Sequence, residues 1–310
     1  MSATFKIGTR GSPLALAQAQ VVATPLREQG VEVEIVRVRT EGDRLLEVPL
    51  AEVGGKGLFV REIEQMLLAG ALDCAVHSLK DLPADLPTGL TLAAFPERED
   101  PRDVLVARAR TRFEDLRPGA VLGTSSPRRR ALALALRPDL VVEPIRGNVD
   151  TRLRKLEGGA FDGVLLAAAG LARLGLIAPH AQPLDPEVFV PAVGQGVLAI
   201  ETRTGDRHAG ALLERLDHAA TRACALAERA CLRRLGASCN SPMAAHAVIA
   251  ADTLRITALV ASEDGRKVLR GSAAASPAAP EAVGRRLADS LLEQGAASVT
   301  ALRPVTQWPA

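Results

Sequence analysis

The stretch Ile7-Gly8-Thr9-Arg10-Gly11-Ser12-Pro13 joins a predicted strand, Thr4–Gly8, to a helix predicted from about Ser12 to Gln29. Ser followed by Pro is a strong helix-start signal, because Ser caps free N–H groups and Pro suits the first helical position. A second predicted strand, Val31–Thr40, follows and is rich in β-branched residues. Strands that alternate with helices are typical of an α/β domain with a mostly parallel sheet.

The same strand-turn-helix junction occurs a second time in the chain. Leu122-Gly123-Thr124-Ser125-Ser126-Pro127 includes the end of a predicted strand, Ala120–Gly123, and precedes a predicted helix, Arg128–Leu136. Between the two junctions, a helix is predicted at Leu58–Ala69 and a short buried strand at Cys74–Val76. We interpret the repetition as two similar α/β domains, although two short junctions can also resemble each other by chance.

The last third of the chain has a different pattern, which begins after Asp217. A long helix is predicted at Ala219–Leu235, followed by a loop of small and polar residues at 236–242. Two or three alternating strands come next, and Glu263-Asp264-Gly265 is a hairpin signal between the last two. This region is predicted to be a smaller α+β domain with strands Ala245–Ala250, Leu254–Ser262 and Lys267–Ser272 and a final helix, Glu281–Gln294.

Composition and charge argue against several classes of function. The 310 residues suffice for two or three domains, and 38 basic against 36 acidic residues leave a net charge of +2. With 2% aromatic residues, this balance does not suit a nucleic-acid binder. The longest apolar run, Val164–Ala172, is about half the length of a membrane helix. The sequence shows no signal-peptide pattern. Its histidines and cysteines do not have the spacing of zinc ligands. We therefore expect a soluble, cytoplasmic protein with no nucleic-acid or membrane partner and no metal.

Arginines and serines in turns are candidate anion ligands. Only five of the 38 basic residues are lysines, a bias that a GC-rich genome would also produce. Where a strand ends and a helix begins, free N–H groups, the helix dipole and a guanidinium together suit a phosphate or carboxylate. Each serine is also an ordinary N-cap, and no single arginine is specific. As a set they predict a ligand with several carboxylates or phosphates: Arg10, Ser12, Ser125, Ser126, Arg128, Arg129, Arg146, Arg152 and Arg173.

His77-Ser78-Leu79-Lys80-Asp81 ends the predicted buried strand, where active sites of α/β proteins tend to lie. Lys80 could form a Schiff base and Asp81 could pair with a pyridinium, as in a pyridoxal enzyme. The alternative is an ordinary Lys–Asp pair at a strand end. Gly54-Gly55-Lys56-Gly57-Leu58-Phe59 lacks the Walker signature and is interpreted as a mobile loop.

The four cysteines contain no Cys-x-x-Cys pair, so a disulfide framework is not expected in a reducing compartment. Cys224 and Cys231 are seven residues apart on one face of an Ala-rich helix, and Cys74 lies in the buried strand, so these three are predicted to be core residues. Cys239 alone lies in a loop of Gly, Ser, Asn and Pro. That position suits a covalent attachment and a harmless surface thiol about equally.

Taken together, these segments resemble the porphobilinogen deaminase (hydroxymethylbilane synthase) family, in the same order over nearly the whole chain. The stretches that carry the resemblance are 9–15, 54–59, 75–83, Glu97-Arg98-Glu99-Asp100-Pro101-Arg102-Asp103, 123–129, Arg146-Gly147-Asn148-Val149-Asp150-Thr151-Arg152 and Pro191-Ala192-Val193-Gly194-Gln195-Gly196. The resemblance implies two α/β domains related to solute-binding proteins and a smaller α+β C-terminal domain. The implied bounds are 1–98 with 197–217 for domain one, 99–196 for domain two and 218–310 for domain three.

The resemblance also implies an activity: a transferase that deaminates four porphobilinogen molecules and joins them into the linear tetrapyrrole hydroxymethylbilane. Its primer is a dipyrromethane cofactor held by a thioether, and Cys239 occupies the matching position. We expect a monomer that passes its product to the next enzyme of the pathway. The site residues implied are Asp81 for catalysis; Cys239, Lys80, Ser126, Arg128, Arg129 and Arg146 for the cofactor; Arg10, Ser12, Ser125, Arg152 and Arg173 for the substrate; and Lys56 and Phe59 in the mobile loop.

Two other classes of protein would use some of the same residues. A non-catalytic, two-domain binder of a dicarboxylate would use the arginines but would need neither Asp81 nor Cys239. A pyridoxal-dependent lyase would need Lys80 and would show cofactor absorbance. Only the deaminase should carry a bound pyrrole.

Overall fold

The computed structural model describes residues 4–40, 60–238 and 240–302. The chain divides into two compact units. The first unit comprises Met1–Glu99 and Gly196–Arg222, and the second comprises Asp100–Gln195 and Ala223–Ala310. The finer division into three domains stays a prediction.

The described strands and helices are numbered here in chain order. The strands are β1 (Phe5–Arg10), β2 (Val33–Val38), β3 (Cys74–Ser78), β4 (Leu90–Ala94), β5 (Asp103–Ala107), β6 (Val121–Gly123), β7 (Val141–Glu143), β8 (Gly163–Ala167), β9 (Ala181–Pro183), β10 (Leu198–Arg203), β11 (Met243–Ala250), β12 (Thr253–Ala261) and β13 (Val268–Ala275). The helices are α1 (Pro13–Glu28), α2 (Arg61–Leu68), α3 (Pro127–Leu136), α4 (Val149–Glu157), α5 (Ala168–Arg173), α6 (Arg207–Leu213), α7 (Ala219–Leu235), α8 (Pro280–Glu293) and α9 (Ala296–Val299), with 3₁₀ helices at Leu79–Asp81 and Glu214–Leu216.

The first unit is built on a five-stranded sheet of order β2-β1-β3-β10-β4. Helix α1 packs against β1, β2 and β3, because its buried residues Ala19, Val22 and Leu26 recur at helical spacing. Helix α2 packs against β3, β4 and β10 through Ile63 and Leu67. Both helices therefore contact β3, the strand that leads into the Leu79–Asp81 turn.

The second unit contains a five-stranded sheet of order β7-β6-β8-β5-β9 and a three-stranded antiparallel sheet of order β11-β12-β13. Helix α8 covers β12 and β13, and it approaches α7 closely: a Cβ on Gly284 would lie 2.1 Å from the Ala227 carbonyl oxygen. The predicted hairpin at residues 263–265 is confirmed, and Gly265 adopts φ +71 there.

The predicted fold class, two α/β domains and a smaller α+β region, is confirmed by these sheets. The expectation of mostly parallel sheets is wrong. In the first unit, β1 pairs in parallel with β2 and β3, whereas β10 pairs antiparallel with β3 and β4. In the second unit, β6 pairs in parallel with β7 and β8, whereas β5 pairs antiparallel with β8 and β9. Strands β10 and β5 begin soon after the chain enters their unit from the other unit, so no helical crossover precedes them and nothing imposes a parallel direction.

The predicted elements are otherwise close to those observed. The Ser–Pro junctions start α1 and α3, and α7 has the predicted bounds. None of the helices in the described ranges has the length and apolar character needed to cross a membrane.

Candidate functional site

In the first unit, Arg10 and Ser12 stand at the end of β1. Ser12 is the N-cap of α1: its Oγ accepts from the backbone N–H of Ala15 at 3.2 Å. The buried Thr9 hydroxyl donates to the carbonyl of Ala15 at 3.1 Å, which ties the strand end to the first turn of the helix. The capping role of Ser12 is therefore confirmed, and its own hydroxyl proton remains available to donate to an anion.

Lys80 and Asp81 stand at the same edge of that sheet. Strand β3 runs parallel to β1, so both strands have their carboxyl ends at one edge. The strand is buried from Cys74 to His77 and ends at Ser78, whose Oγ accepts from Gln18 Nε2 at 2.8 Å. This hydrogen bond joins α1 to the start of the 3₁₀ helix that carries Lys80 and Asp81.

The Asp81 carboxylate is presented to solvent. Asp81 is exposed at the end of the 3₁₀ helix, and it makes no hydrogen bond or ion pair within the part of the chain that the structure describes. The ordinary Lys80–Asp81 pair considered from the sequence does not form there. A carboxylate without a competing partner is suited to stabilise a positive charge on a bound molecule.

In the second unit, the parallel strands β7, β6 and β8 end at one edge of the sheet. Ser125 and Ser126 follow β6: the Ser126 hydroxyl caps α3 by accepting from Arg129 N at 3.4 Å, and Ser125 Oγ donates to the carbonyl of Ile145 at 2.7 Å. Arg173 ends α5, which directly follows β8. The structure thus brings the predicted polar residues of this unit to the ends of neighbouring strands.

Arg146 and Arg152 lie in and after the turn that follows β7. The Arg152 Nε donates to the carbonyl of Gly147 at 2.8 Å, and Lys155 Nζ donates to the carbonyl of Arg146 at 3.1 Å. Gly147 adopts φ +108, a conformation that other residues rarely adopt. Arg146 is half-buried, and among the described residues its guanidinium has no hydrogen-bond or ion-pair partner.

Arg128 and Arg129 are buried and bind one carboxylate, that of Asp103. Arg128 Nη1 lies 2.7 Å from Asp103 Oδ2 and Arg128 Nη2 lies 3.1 Å from Oδ1, a bidentate contact, while Arg129 Nε lies 2.7 Å from Oδ1. Gln195 Nε2 also donates to Oδ1, at 3.1 Å. Complete burial would raise the pKa of Asp103, but the charges of Arg128 and Arg129 outweigh it and lower the pKa to about 2.

The remaining donors of these two arginines are mostly used inside the unit. Arg128 Nη1 also donates to the carbonyl of Val190, and Arg129 Nη1 donates to that of Leu165, both at 2.8 Å. The buried Nε of Arg128 has no hydrogen-bond acceptor among the described residues. Their predicted role in holding the cofactor stays a prediction, and the contacts show that they also hold the unit together.

Sequence reasoning missed the partners that fix these residues in place. Asp103 is the last residue of the family-like stretch 97–103, but no local sequence pattern links it to Arg128 and Arg129, which lie 25 and 26 residues later in the chain. Gln18 falls at a buried position of α1, and its contact with Ser78 spans 60 residues of chain. Long-range pairings of this kind leave no periodic signal in one sequence.

The predicted Cys239, Lys56 and Phe59 lie outside the described residues. Cys74, Cys224 and Cys231 are buried and free of disulfides, as predicted for core residues. Burial raises the pKa of the Cys231 thiol to about 12 and raises that of Cys74 far above its usual range. Both thiols are therefore poor nucleophiles.

Arginines and capped serines at strand ends, with a carboxylate at one of them that has no partner in the described chain, are the arrangement typical of α/β enzymes that bind anionic substrates. A family model described as "Porphobilinogen deaminase, dipyromethane cofactor binding domain" matches residues 5–211, and "Porphobilinogen deaminase, C-terminal domain" matches residues 222–293. The chain belongs to the porphobilinogen deaminase family and is a transferase of porphyrin biosynthesis.

Individual relatives agree with this assignment over nearly the whole chain. A porphobilinogen deaminase from Syntrophotalea carbinolica is 48% identical over 310 residues, covering 99% of this chain and 98% of that protein. One from Desulforudis audaxviator is 50% identical over 297 residues, covering 95% of this chain and 96% of that protein.

Among solved structures, an ABC transporter periplasmic substrate-binding protein from Coxiella burnetii is similar with a TM-score of 0.42 and 14% identity, covering 69% of this chain and 91% of that one.

Proposed function

We propose that Asp81 is the catalytic carboxylate, and Cys239 the attachment point of the cofactor, in this family's reaction. That reaction deaminates porphobilinogen and joins four molecules into the linear tetrapyrrole hydroxymethylbilane. The observation that carries the proposal is the position of Asp81: exposed and unpaired within the described chain, at the same sheet edge as Arg10 and Ser12. A carboxylate without a competing partner in the described chain can direct its full charge at a bound molecule.

Substrate recognition follows from the carboxylates of porphobilinogen, which carries one acetate and one propionate. In the first unit, Arg10 and the N-terminal end of α1 at Ser12 suit a carboxylate. In the second unit, the arginines and serines at the ends of β6, β7 and β8 have the same chemistry: Ser125, Arg152 and Arg173 for the substrate. Two kinds of anion ligand, a guanidinium and a capped helix start, therefore recur in both units.

Asp81 contributes through charge. Joining two pyrroles places positive charge on a pyrrole nitrogen, and a carboxylate about 4 Å away stabilises such a cation by about 4 kcal/mol at an effective dielectric constant near 20. If that interaction is made only in the transition state, it corresponds to roughly three decades of rate. Each addition releases the amino group of porphobilinogen as ammonia, and the carboxylate can accept the proton that the pyrrole carbon loses when the new carbon–carbon bond forms and pass it to a departing amine.

The cofactor of the family is dipyrromethane, whose side chains are also acetates and propionates. The described residues fit such a group: the guanidinium of Arg146 and the buried Nε of Arg128 are donors with no acceptor in the described chain. When bound, the cofactor supplies the pyrrole to which the first substrate is joined. We propose that Lys80, Ser126, Arg128, Arg129 and Arg146 hold its carboxylates while the sulfur of Cys239 holds it covalently.

The proposal also covers the compartment in which the protein works, its oligomeric state and the fate of its product. We propose that the chain works in the cytoplasm as a monomer and releases hydroxymethylbilane to the next enzyme of the pathway. A thioether to Cys239 is not a disulfide, so a reducing compartment would leave it intact. Light scattering on the purified protein tests the monomer, since a dimer would double the molar mass.

The experiment that tests the activity is incubation of the purified protein with porphobilinogen. We expect the substrate to be consumed and a linear tetrapyrrole to be released, and we expect Ehrlich's aldehyde reagent to colour the protein before any substrate is added. A protein that binds porphobilinogen unchanged would indicate a binder. A protein with pyridoxal absorbance and no colour would indicate the lyase.

A further inference from the structure

Three titratable side chains meet in the core of the first unit, and the proposed reaction uses none of them. His77 Nε2 lies 3.1 Å from Glu201 Oε2, which joins β3 to β10. Glu64 is buried on α2, the helix that packs against both β3 and β10, and the charges of His77 and Glu201 both act on the pKa of its carboxyl. The exposed fractions are 6% for His77, 0% for Glu201 and 7% for Glu64. These three residues are called the buried acid cluster below.

Two carboxylate oxygens of the buried acid cluster have no hydrogen-bond partner in the described chain. They are Oε1 of Glu64 and Oε1 of Glu201. Burial of an unpaired, ionised carboxylate is costly, and two of them close together repel each other as well. The cost falls when one of the two carboxyls keeps its proton, because a neutral carboxyl is cheaper to bury and does not repel its neighbour.

Glu64 is the carboxyl that keeps the proton. Burial raises its pKa most, the charge of Glu201 raises it further, and His77 and Arg61 offset only part of this, so the pKa of Glu64 is about 7. Strand β4, the third neighbour of α2, offers no titratable group. The titratable groups on the packed elements are Arg61, Glu62 and Glu64 on α2, Cys74 and His77 on β3, and Glu201 and Arg203 on β10.

The other groups near α2 are committed elsewhere. Arg203 donates to the carbonyl of Leu67 at 2.9 Å and to Asp206 Oδ2 at 2.5 Å, so it holds the carboxyl end of α2 and not the cluster. Burial keeps the Cys74 thiol protonated. The charge balance around Glu64 is therefore set by the cluster itself and by Arg61.

The buried acid cluster lies against the strand that leads into the candidate catalytic turn. His77 is the residue before Ser78, which in turn precedes the 3₁₀ helix that carries Lys80 and Asp81. Ser78 is held from α1 by Gln18, and His77 is held by the cluster beneath α2. Consecutive strand residues point to opposite faces of a sheet, so the two contacts hold the end of β3 from both sides.

We propose that Glu64 is a positioning residue that works in its protonated form. The neutral carboxyl, with the Glu201–His77 pair, keeps α2 packed against β3 and β10. This packing fixes the end of β3 that leads into Lys80 and Asp81. The stability and protonation of Glu64 concern the core of the first unit alone, whereas its positioning role rests on the proposed function of Asp81. Ionisation of Glu64 places a negative charge in this buried position and loosens the packing.

The first test follows stability against pH. In the folded protein the pKa of Glu64 is raised above its ordinary value of 4.5, so the stabilisation of the fold by protonated Glu64 is complete below about pH 4.5. That stabilisation is lost as the pH rises through about 7. Glu64→Gln cannot ionise. We expect the melting temperature of Glu64→Gln minus that of the wild type to increase by about 5 °C between about pH 5 and pH 8. Glu32→Gln, a substitution at an exposed residue of the same unit, is the control. Its melting temperature should differ from that of the wild type by the same amount at every pH.

The second test detects the proton directly in the wild-type protein, so it does not depend on the folding of a variant. Infrared difference spectra between about pH 6 and pH 8.5 should show the carbonyl band of a protonated carboxyl disappearing. The band should be absent from Glu64→Gln. A wild-type spectrum without that band would overturn the proposal, and so would a melting-temperature difference that does not change with pH.

The third test separates positioning from simple stability. If the protonated carboxyl positions the catalytic turn, turnover of the wild type should fall at least about threefold more than that of Glu64→Gln between about pH 7 and pH 8.5, with KM changing little. Parallel pH profiles of the two proteins would contradict a positioning role.

Discussion

Asp81 is the residue on which the proposed chemistry depends most. Asp81→Asn keeps the shape of the side chain and removes its charge. We expect turnover to fall about a thousandfold, because roughly 4 kcal/mol of charge stabilisation is lost. The melting temperature should not change, since the side chain is exposed and has no partner within the described chain.

Asp85→Asn is the matched control for this change, because Asp85 is also exposed and lies four residues further along. It should leave turnover within about twofold of the wild type. An Asp81→Asn protein that retains more than about a tenth of the wild-type rate would rule out a contribution of several kcal/mol.

The arginines divide into two kinds that one substitution series can separate. Arg146→Leu removes a guanidinium without a partner in the described chain, so we expect impaired cofactor assembly or chain extension and an unchanged melting temperature. Arg128→Leu removes the bidentate partner of the buried Asp103, so we expect a loss of about 3 to 5 kcal/mol in the free energy of unfolding as well. Urea unfolding and turnover measured on both variants check this.

Arg266→Leu is the control, because the Arg266 side chain is 87% exposed and pairs with the exposed Asp264 of its own hairpin. It should change neither property. Equal losses of turnover in Arg266→Leu and Arg146→Leu would mean that the arginines act through general charge alone.

At the scale of elements, the turn between β7 and α4 holds Arg146 in place through one glycine. Gly147 adopts φ +108, and a Cβ there would lie 2.6 Å from Thr151 Cγ2. Gly147→Ala should therefore cost about 1 to 3 kcal/mol in stability and displace the Arg146 side chain, which would weaken cofactor binding. Thermal unfolding and the fraction of protein that carries cofactor are the measurements.

Gly119→Ala is the matched control, because Gly119 also has a positive φ, +72, but has open space around its Cβ position. It should lose some stability and keep its cofactor. If both variants carry cofactor equally, the turn does not position Arg146.

The local elements were predictable because their signals are local. Ser12-Pro13 and Ser126-Pro127 start helices through a cap and a preset φ, and both are found as expected. Helix α7 was predicted to the residue, since its Ala-rich run is bounded by Gly236. The bounds of the strands that were predicted differ from the observed ones by up to three residues, because strand ends are decided by pairing partners that the sequence does not reveal.

At the scale of the whole molecule, the sequence did not predict the features that depend on distant pairings. Strands β10 and β5 enter their sheets antiparallel, and this follows from the path of the chain between the two units. The pairing of Asp103 with Arg128 and Arg129, and the burial of Glu64 beside Glu201, join elements far apart in sequence. The candidate site was predicted from its motifs and stays a prediction, whereas the contacts that hold its residues in place could only come from the fold.

The central claim is that Cys239 carries a covalent dipyrromethane, which keeps the growing chain tethered while each unit is added. Intact-protein mass spectrometry followed by peptide mapping tests it most directly. We expect the purified protein to be heavier than its sequence by two pyrrole units, with the added mass on the peptide that contains Cys239, and we expect Cys239→Ser to be inactive and colourless with the aldehyde reagent. An unmodified Cys239 in an active protein, or a pyrrole adduct on Cys74, Cys224 or Cys231, would contradict the claim.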